Sequence, residues 1–164
     1  MSEAPWIRGP LRIARAVLAD VEAHARATYP TECCGFLLGP AVPPDLVDEG
    51  RREVNEADRY HRLDPERFPR TGRTYFKINE LRAARTFDRQ AAEDRPVKVI
   101  YHSHCDAGAY FSEEDASTFS QAGVLTWPCA FLVVSVVDGD VKDRRVWIHK
   151  GGTDDFEEGA WSLA

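Results

Sequence analysis

The sequence predicts an α/β protein of the α+β kind, built from helices and a central β-sheet. Three observations support this fold class. Apolar residues recur every three or four positions in residues 11–29, which is typical of a helix with one buried face. A short apolar run at 97–101 is typical of a buried strand. Two β-rich runs, 130–137 and 141–149, flank an Asp-Gly turn and predict a hairpin in the central sheet.

Chain breakers and caps set the limits of the other elements. The first helix is expected to end before Pro30, because proline disfavours helical geometry in the residue before it. The apolar run at 34–38 is bounded by glycine and proline, which predicts a buried strand that the chain enters at Glu32. Asn79 is a good N-cap, so we expect a helix over residues 79–93.

Two segments have weaker patterns. Residues 45–73 are charged and rich in turn formers, with possible short strands near 53–55 and 74–78. This segment could contact a partner or be a solvated connector, and the sequence leaves both open. Residues 151–159 are acidic and contain glycine, which predicts a solvated tail. We therefore expect a single domain over 1–164 that ends in an acidic tail at about 151–164.

Composition excludes several classes of protein. With 43% hydrophobic and 29% charged residues, the chain has the balance of a globular domain. A net charge of -6 argues against nucleic acid or an anionic membrane as the main partner. No apolar run reaches the roughly 20 residues that span a bilayer, and residues 1–10 lack an apolar signal core. The four cysteines are then expected to be reduced thiols in the cytoplasm. The oligomeric state is not predicted.

A candidate metal site follows the strand at 97–101. His102 and His104 are separated by one residue, so the alternation of side chains along a strand places both on one face. Asp115 lies in the first turn of a predicted helix over 112–121 and can supply a carboxylate oxygen to the same ion. Two histidines, one carboxylate and a water position are the donor set of a catalytic zinc site. Glu32 is the candidate for accepting and returning the proton of that water.

Each of these residues also has a simpler interpretation. A His-x-His pair arises by chance, and Asp115 alone is typical of a helix-capping carboxylate. Ser112 alone is typical of an N-cap, and Glu32 alone of a solvated charge. Their joint occurrence in one order, with both histidines leaving an apolar strand, favours the metal site.

The order Glu32, then His102-Ser103-His104, seven residues, Ser112, two residues and Asp115 resembles the JAMM motif of the MPN-domain metallopeptidases. The resemblance also covers residues 29–35 and 101–109. It implies a curved mixed sheet with flanking helices, an architecture similar to that of cytidine deaminases. It further implies zinc held by His102, His104 and Asp115, Glu32 as general acid and base, and Ser112 stabilising the oxyanion.

The implied reaction is hydrolysis of an amide bond after the C-terminal Gly-Gly of a ubiquitin-like or sulfur-carrier protein. Alternatives are a non-catalytic interaction module and a zinc amidohydrolase acting on small amides or cell-wall peptides. Cys105 and Phe111 stand where bacterial relatives commonly have proline. If Cys105 were a fourth ligand, the site would be closed and structural. Iron is possible with the same donor types, and the resemblance favours zinc.

Overall fold

The computed structural model describes residues 3–164. After a short 3-10 turn at Pro5–Ile7, the chain forms four α-helices and eleven strands within this range. The helices are α1 (Arg15–Thr28), α2 (Ala57–Leu63), α3 (Glu80–Ala92) and α4 (Glu113–Phe119). The strands are β1 (Leu11–Ile13), β2 (Cys34–Leu38), β3 (Leu46–Val47), β4 (Glu49–Glu53), β5 (Val97–Cys105), β6 (Ser120–Gln121), β7 (Val124–Leu125), β8 (Ala130–Val137), β9 (Asp140–His149), β10 (Phe156–Gly159) and β11 (Trp161–Leu163).

A mixed six-stranded sheet forms the centre of the molecule, in the order β10-β9-β8-β5-β2-β4. Strands β5 and β8 are parallel, and the other neighbours in this sheet are antiparallel. The predicted fold class is confirmed, and so is the hairpin of β8 and β9. In the register of β2 and β5, Cys34 pairs with His102. The start of β2 therefore lies beside the end of β5.

Each face of the central sheet is covered by its own apolar cluster. On one face, α1 buries Val17, Val21 and Ala25 against residues of β8 such as Leu132 and Val134. The opposite face is rich in aromatic side chains from α3, α4, the sheet and the segment that precedes α3, namely Phe36, Phe76, Phe87, Phe119 and Phe131. Among residues 3–164, no helix is both long and apolar enough to cross a bilayer.

Several predicted elements differ from the observed ones. Residues 11–13 form a strand rather than the first helical turn, because Leu11 and Ile13 alternate inward and β1 pairs with both β11 and β3. Residues 156–159 and 161–163 are strands rather than parts of a tail, since β10 pairs with β9 and β11 pairs with β1, while most of their side chains are exposed. The segment 74–78 contains no strand, and the strand predicted near 53–55 lies at Glu49–Glu53 instead.

A buried polar contact joins α1 to the central sheet. The Tyr101 hydroxyl lies 2.7 Å from Nδ1 of His24, and both residues are buried. Burial lowers the pKa of His24, so the imidazole is neutral and one ring nitrogen is available as an acceptor.

We expect Tyr101→Phe to lower the free energy of unfolding by about 1–3 kcal/mol, because it leaves a buried imidazole nitrogen without a partner. Tyr60→Phe is the matched control, since the Tyr60 ring packs near Phe68 at a half-buried position. Urea denaturation measures both variants. Equal stability of the two variants would contradict the role assigned to the Tyr101 hydroxyl.

Candidate metal centre

Two buried histidines lie in the C-terminal half of β5. His102 and His104 are two residues apart in an extended strand, so their rings lie on the same face of the sheet. Their Nε2 atoms are 3.1 Å apart, and the two side chains are almost fully buried. The parallel pairing with β8 fixes this part of the strand. The backbone geometry therefore brings two nitrogen donors to one point.

A carboxylate from the start of α4 completes the group. Oδ2 of Asp115 lies 3.1 Å from Nε2 of His102 and 3.3 Å from Nε2 of His104. The same oxygen accepts a hydrogen bond from the Ser112 backbone N–H, and the Asp115 N–H donates to Ser112 Oγ. This capping box fixes the carboxylate, and the positive end of the helix favours its charge.

The spacing of the three atoms fits a tetrahedral zinc ion. Ligand atoms at about 2.0–2.1 Å from zinc are roughly 3.3 Å apart from one another in a tetrahedron. The observed separations of 3.1, 3.1 and 3.3 Å are close to this value. Two imidazoles and one carboxylate also leave a fourth position for water or substrate.

The orientation of each ring is set by a different neighbour. Nδ1 of His104 lies 2.8 Å from the carbonyl oxygen of Gly108 and donates to it, which leaves Nε2 with a free lone pair. Nδ1 of His102 is buried and has no hydrogen-bond partner among residues 3–164. Its ring instead stacks on Phe76, with centroids 4.3 Å apart. Burial lowers the pKa of His102, which keeps this ring neutral and able to bind a metal.

Glu32 lies close to both histidines. Ligand atoms of Glu32, His102 and His104 all lie within 4.8 Å of one another, so these three residues form a second possible triad. Asp115 is the better third ligand, because a single oxygen contacts both Nε2 atoms at tetrahedral spacing. Glu32 is then close enough to exchange a proton with a group at the metal.

The two carboxylates have opposite ionisation behaviour. Burial, followed by the negative charge of Asp115, raises the pKa of Glu32 to about 9. Burial also opposes ionisation of Asp115, but the contacts with His102 and His104 outweigh it and hold the Asp115 pKa well below its usual range. Asp115 is therefore the charged ligand, and Glu32 is a protonated acid in the absence of a cation.

Backbone contacts from distant segments position Glu32. Its N–H donates to the Gly72 carbonyl at 2.7 Å, and its own carbonyl accepts from the Asn55 side chain at 2.9 Å. The next residue, Cys33, donates its N–H to Ser103 Oγ at 2.8 Å, which ties this segment to β5. A Cβ atom on Gly72 would approach Thr31 Cγ2 to 2.7 Å, so this close contact requires glycine.

The Asn55 side chain connects three segments. Its amide group donates to the carbonyls of Glu32 and Tyr75, and its oxygen accepts from the N–H groups of Ala57 and Lys77. Phe76, which stacks on His102, lies between two of these partners. Asn55 thus fixes the position of Glu32, the expected proton carrier, relative to Phe76, whose ring stacks on His102.

The metal centre opens into a pocket of about 440 Å³. It is lined by Glu32, Arg70, Arg73, Thr74, His104, Cys105, Ala107, Tyr110, Phe111, Ser112, Glu113, Glu114 and Asp115. The Ser112 hydroxyl lies at this pocket, where its hydrogen can be donated to a substrate oxygen.

Cys105 also lines the pocket, but its sulfur is not one of the three candidate ligand atoms. It follows His104 in β5, so the alternation of the strand directs its side chain away from the two ligand rings. Burial is the largest cause that raises the pKa of the Cys105 thiol to about 12 in the absence of a cation.

The site residues predicted from the sequence are Glu32, His102, His104, Ser112 and Asp115. The structure places four of them in the pocket lining, and His102 lies buried against His104 and Asp115. Asn55, Phe76 and the two arginines at the pocket mouth were not predicted. Asn55 and the two arginines lie within residues 45–73, the segment for which the sequence left a role in partner contact open. Nothing in the local pattern marks Asn55 or Phe76.

Comparisons with known proteins agree with this geometry. The model of the prokaryotic homologues of the JAB domain matches residues 14–149. The chain is 31% identical over 93 residues to the CysO-cysteine peptidase of Mycobacterium bovis, which covers 57% of this chain and 54% of that protein. The chain thus spans about half the length of the curated relatives it matches.

Solved structures show the same fold. Protein DSY2949 from Desulfitobacterium hafniense superposes with a TM-score of 0.68 at 18% identity, covering 94% of this chain and 93% of that one. The structure described as "JAMM: A Metalloprotease-like Zinc Site in the Proteasome and Signalosome" superposes with a TM-score of 0.52 at 18% identity, covering 95% and 99%.

The mixed sheet and the buried His-His-Asp group define an α/β domain with a candidate metal centre. More specifically, the chain belongs to the family of prokaryotic homologues of the JAB domain. The resemblance to the JAMM and MPN proteins is confirmed by this match.

We expect Asn55→Asp to lower the free energy of unfolding by about 1–3 kcal/mol, because it replaces two N–H donors with an oxygen facing two carbonyls. Asn79→Asp is the matched control, since Asn79 caps α3 through its oxygen and aspartate caps equally well. Thermal and urea unfolding measure the difference. A neutral Asn55→Asp would contradict the connecting role of Asn55.

We expect one zinc per wild-type chain, loss of zinc in His104→Ala, and unchanged zinc in Cys105→Ala. His104 supplies one of three ligand atoms, whereas Cys105 lies outside the group. Elemental analysis after dialysis measures the stoichiometry. Zinc loss in Cys105→Ala would indicate a closed structural site instead.

Proposed function

We propose that this protein is a zinc-dependent peptidase that hydrolyses an amide bond after a C-terminal Gly-Gly sequence. The observation that carries the proposal is the convergence of His102, His104 and Asp115 at tetrahedral spacing, with Glu32 beside them in an open pocket. A closed four-ligand site would not support catalysis, whereas three protein ligands leave room for substrate.

The residues of the chain divide the chemistry among them. Zinc, when bound, supplies the Lewis acidity that activates water and polarises a carbonyl. Glu32 takes a proton from the attacking water and returns it to the leaving nitrogen. Its buried position favours the protonated form, which suits the second of these steps. The Ser112 hydroxyl donates to the oxygen of the tetrahedral intermediate.

Two observations support a peptide substrate of this kind. The mycobacterial relative is named a CysO-cysteine peptidase, so its name states a peptidase activity. The JAMM resemblance implies the Gly-Gly tail of a ubiquitin-like or sulfur-carrier protein, which must enter the pocket in an extended form. Glycine fits close to the metal because it has no side chain to meet the pocket wall.

We expect Glu32→Gln to keep one zinc per chain and to lose turnover by about 10²–10⁴-fold, because glutamine cannot carry the proton. Glu66→Gln, an exposed residue outside the pocket, is the matched control and should retain full activity. The assay is mass spectrometry of a sulfur-carrier protein that carries an extension after Gly-Gly.

Cleavage after the glycines by wild type alone would establish the reaction. Equal turnover by Glu32→Gln and wild type would remove Glu32 from the mechanism. Zinc-loaded wild type that cleaves no such substrate would favour the interaction module or an amidohydrolase acting on other amides.

A further inference from the structure

The charged side chains around the pocket have different partners. Asp115 and Glu32 belong to the metal centre, and Arg70 pairs with Glu114 at 2.8 Å. Arg73 forms no ion pair with any residue in the range 3–164, although its side chain lines the same pocket. A guanidinium without a partner at the mouth of a catalytic pocket is a potential binding group for an anionic substrate.

The backbone of Arg73 is held close to the reacting groups. It follows Gly72, whose carbonyl accepts the hydrogen bond from the Glu32 N–H. The charge of Arg73 also acts on Cys105 and Asp106 at the end of β5, where it opposes the effect of burial on the Cys105 pKa. Arg73 therefore lies on the side of the pocket where β5 ends.

The carboxylate of Asp106 is already used by other donors. It accepts from the Tyr29 hydroxyl at 2.7 and 2.8 Å and from the Asp138 N–H at 3.0 Å. Arg73 acts on it through its charge, and no ion pair joins the two among residues 3–164. The guanidinium of Arg73 thus remains free to bind a carboxylate that comes with the substrate.

We propose that Arg73 binds the free α-carboxylate of the residue that leaves, so that the protein removes a single terminal amino acid from Gly-Gly. This inference rests on the proposed function. An isopeptide bond to a lysine side chain has no carboxylate next to the scissile nitrogen, and a longer peptide has a neutral amide there. A negative charge next to the scissile nitrogen therefore distinguishes a single terminal amino acid from both an isopeptide and a longer peptide.

The reaction balances without any further reagent. The water oxygen adds to the glycine carbonyl carbon, the C–N bond breaks, and Glu32 transfers a proton from the water to the leaving nitrogen. The products are a protein ending in a glycine carboxylate and a free amino acid. The α-carboxylate is unchanged throughout, so its contact with Arg73 acts equally on ground state and transition state and affects mainly KM.

Apart from the residues of the metal centre and the Arg70–Glu114 ion pair, the pocket lining contains two charged residues, Arg73 and Glu113. Glu113 follows Ser112 at the first position of α4, whereas Arg73 lies near the end of β5. Its negative charge disfavours a carboxylate on the α4 side. Arg73 attracts the α-carboxylate and Glu113 repels it, so the two charges orient the leaving residue toward the end of β5.

The test uses the zinc-loaded protein and a sulfur-carrier protein ending in Gly-Gly-Ala, prepared with a free C-terminal carboxylate or as the carboxamide. We expect wild type to show a kcat/KM about tenfold higher for the free acid, mostly through KM, as a charge-assisted contact gives. Arg73→Gln should lose this preference, so that its kcat/KM values for the free acid and for the carboxamide become equal. Arg62→Gln, exposed on α2, is the matched control and should keep it.

A second readout does not depend on turnover. The Kd of both forms is measured with zinc-loaded Glu32→Gln and with the double variant that adds Arg73→Gln. We expect tighter binding of the free acid only when Arg73 is present, with a difference that shrinks at high salt.

Equal Kd values for acid and amide in Glu32→Gln, or a preference that survives Arg73→Gln, would overturn the inference. Cleavage of both forms at equal rates would overturn it and leave the proposed function intact. If neither form is cleaved, the proposed function fails, and the binding comparison still decides whether Arg73 recognises a carboxylate.

Discussion

The contact of one Asp115 oxygen with two imidazole nitrogens is the interaction on which the site depends. The extended geometry of β5 supplies the nitrogens, and the capping box of α4 supplies the oxygen. A buried carboxylate facing two neutral rings has lost much of its hydration, and this loss is costly unless a positive charge compensates it. The helix N-terminus compensates in part. A divalent cation between the three atoms would complete the compensation.

The remainder of the fold brings the proton carrier to this group. The register of β2 and β5 places the start of β2 beside His102, and the Cys33–Ser103 contact fixes the residue before it. Asn55 and Gly72 then hold Glu32 from the opposite side. The segment that looked like a charged connector in the sequence therefore has two roles. It positions Glu32, and it contributes arginines to the mouth of the pocket.

Local patterns predicted the parts of the site that depend on neighbours in the sequence. The spacing of His102 and His104 and the N-cap at Ser112 are such features, and the structure places them as expected. Contacts between distant residues carried no local signal. The pairing of β1 with β11 joins the two ends of the chain, and so both strands were misassigned. The same limit applies to Phe76, whose stacking on His102 arises only after folding.

X-ray absorption at the zinc edge of the purified protein tests the central claim most directly. We expect a first shell of nitrogen and oxygen at about 2.0–2.1 Å, with the outer-shell pattern of two imidazoles and no sulfur. His102 and His104 would supply the imidazoles, and Asp115 one of the oxygens. A sulfur contribution at about 2.3 Å would identify Cys105 as a ligand and contradict an open catalytic site. A spectrum with a single imidazole would contradict the histidine pair.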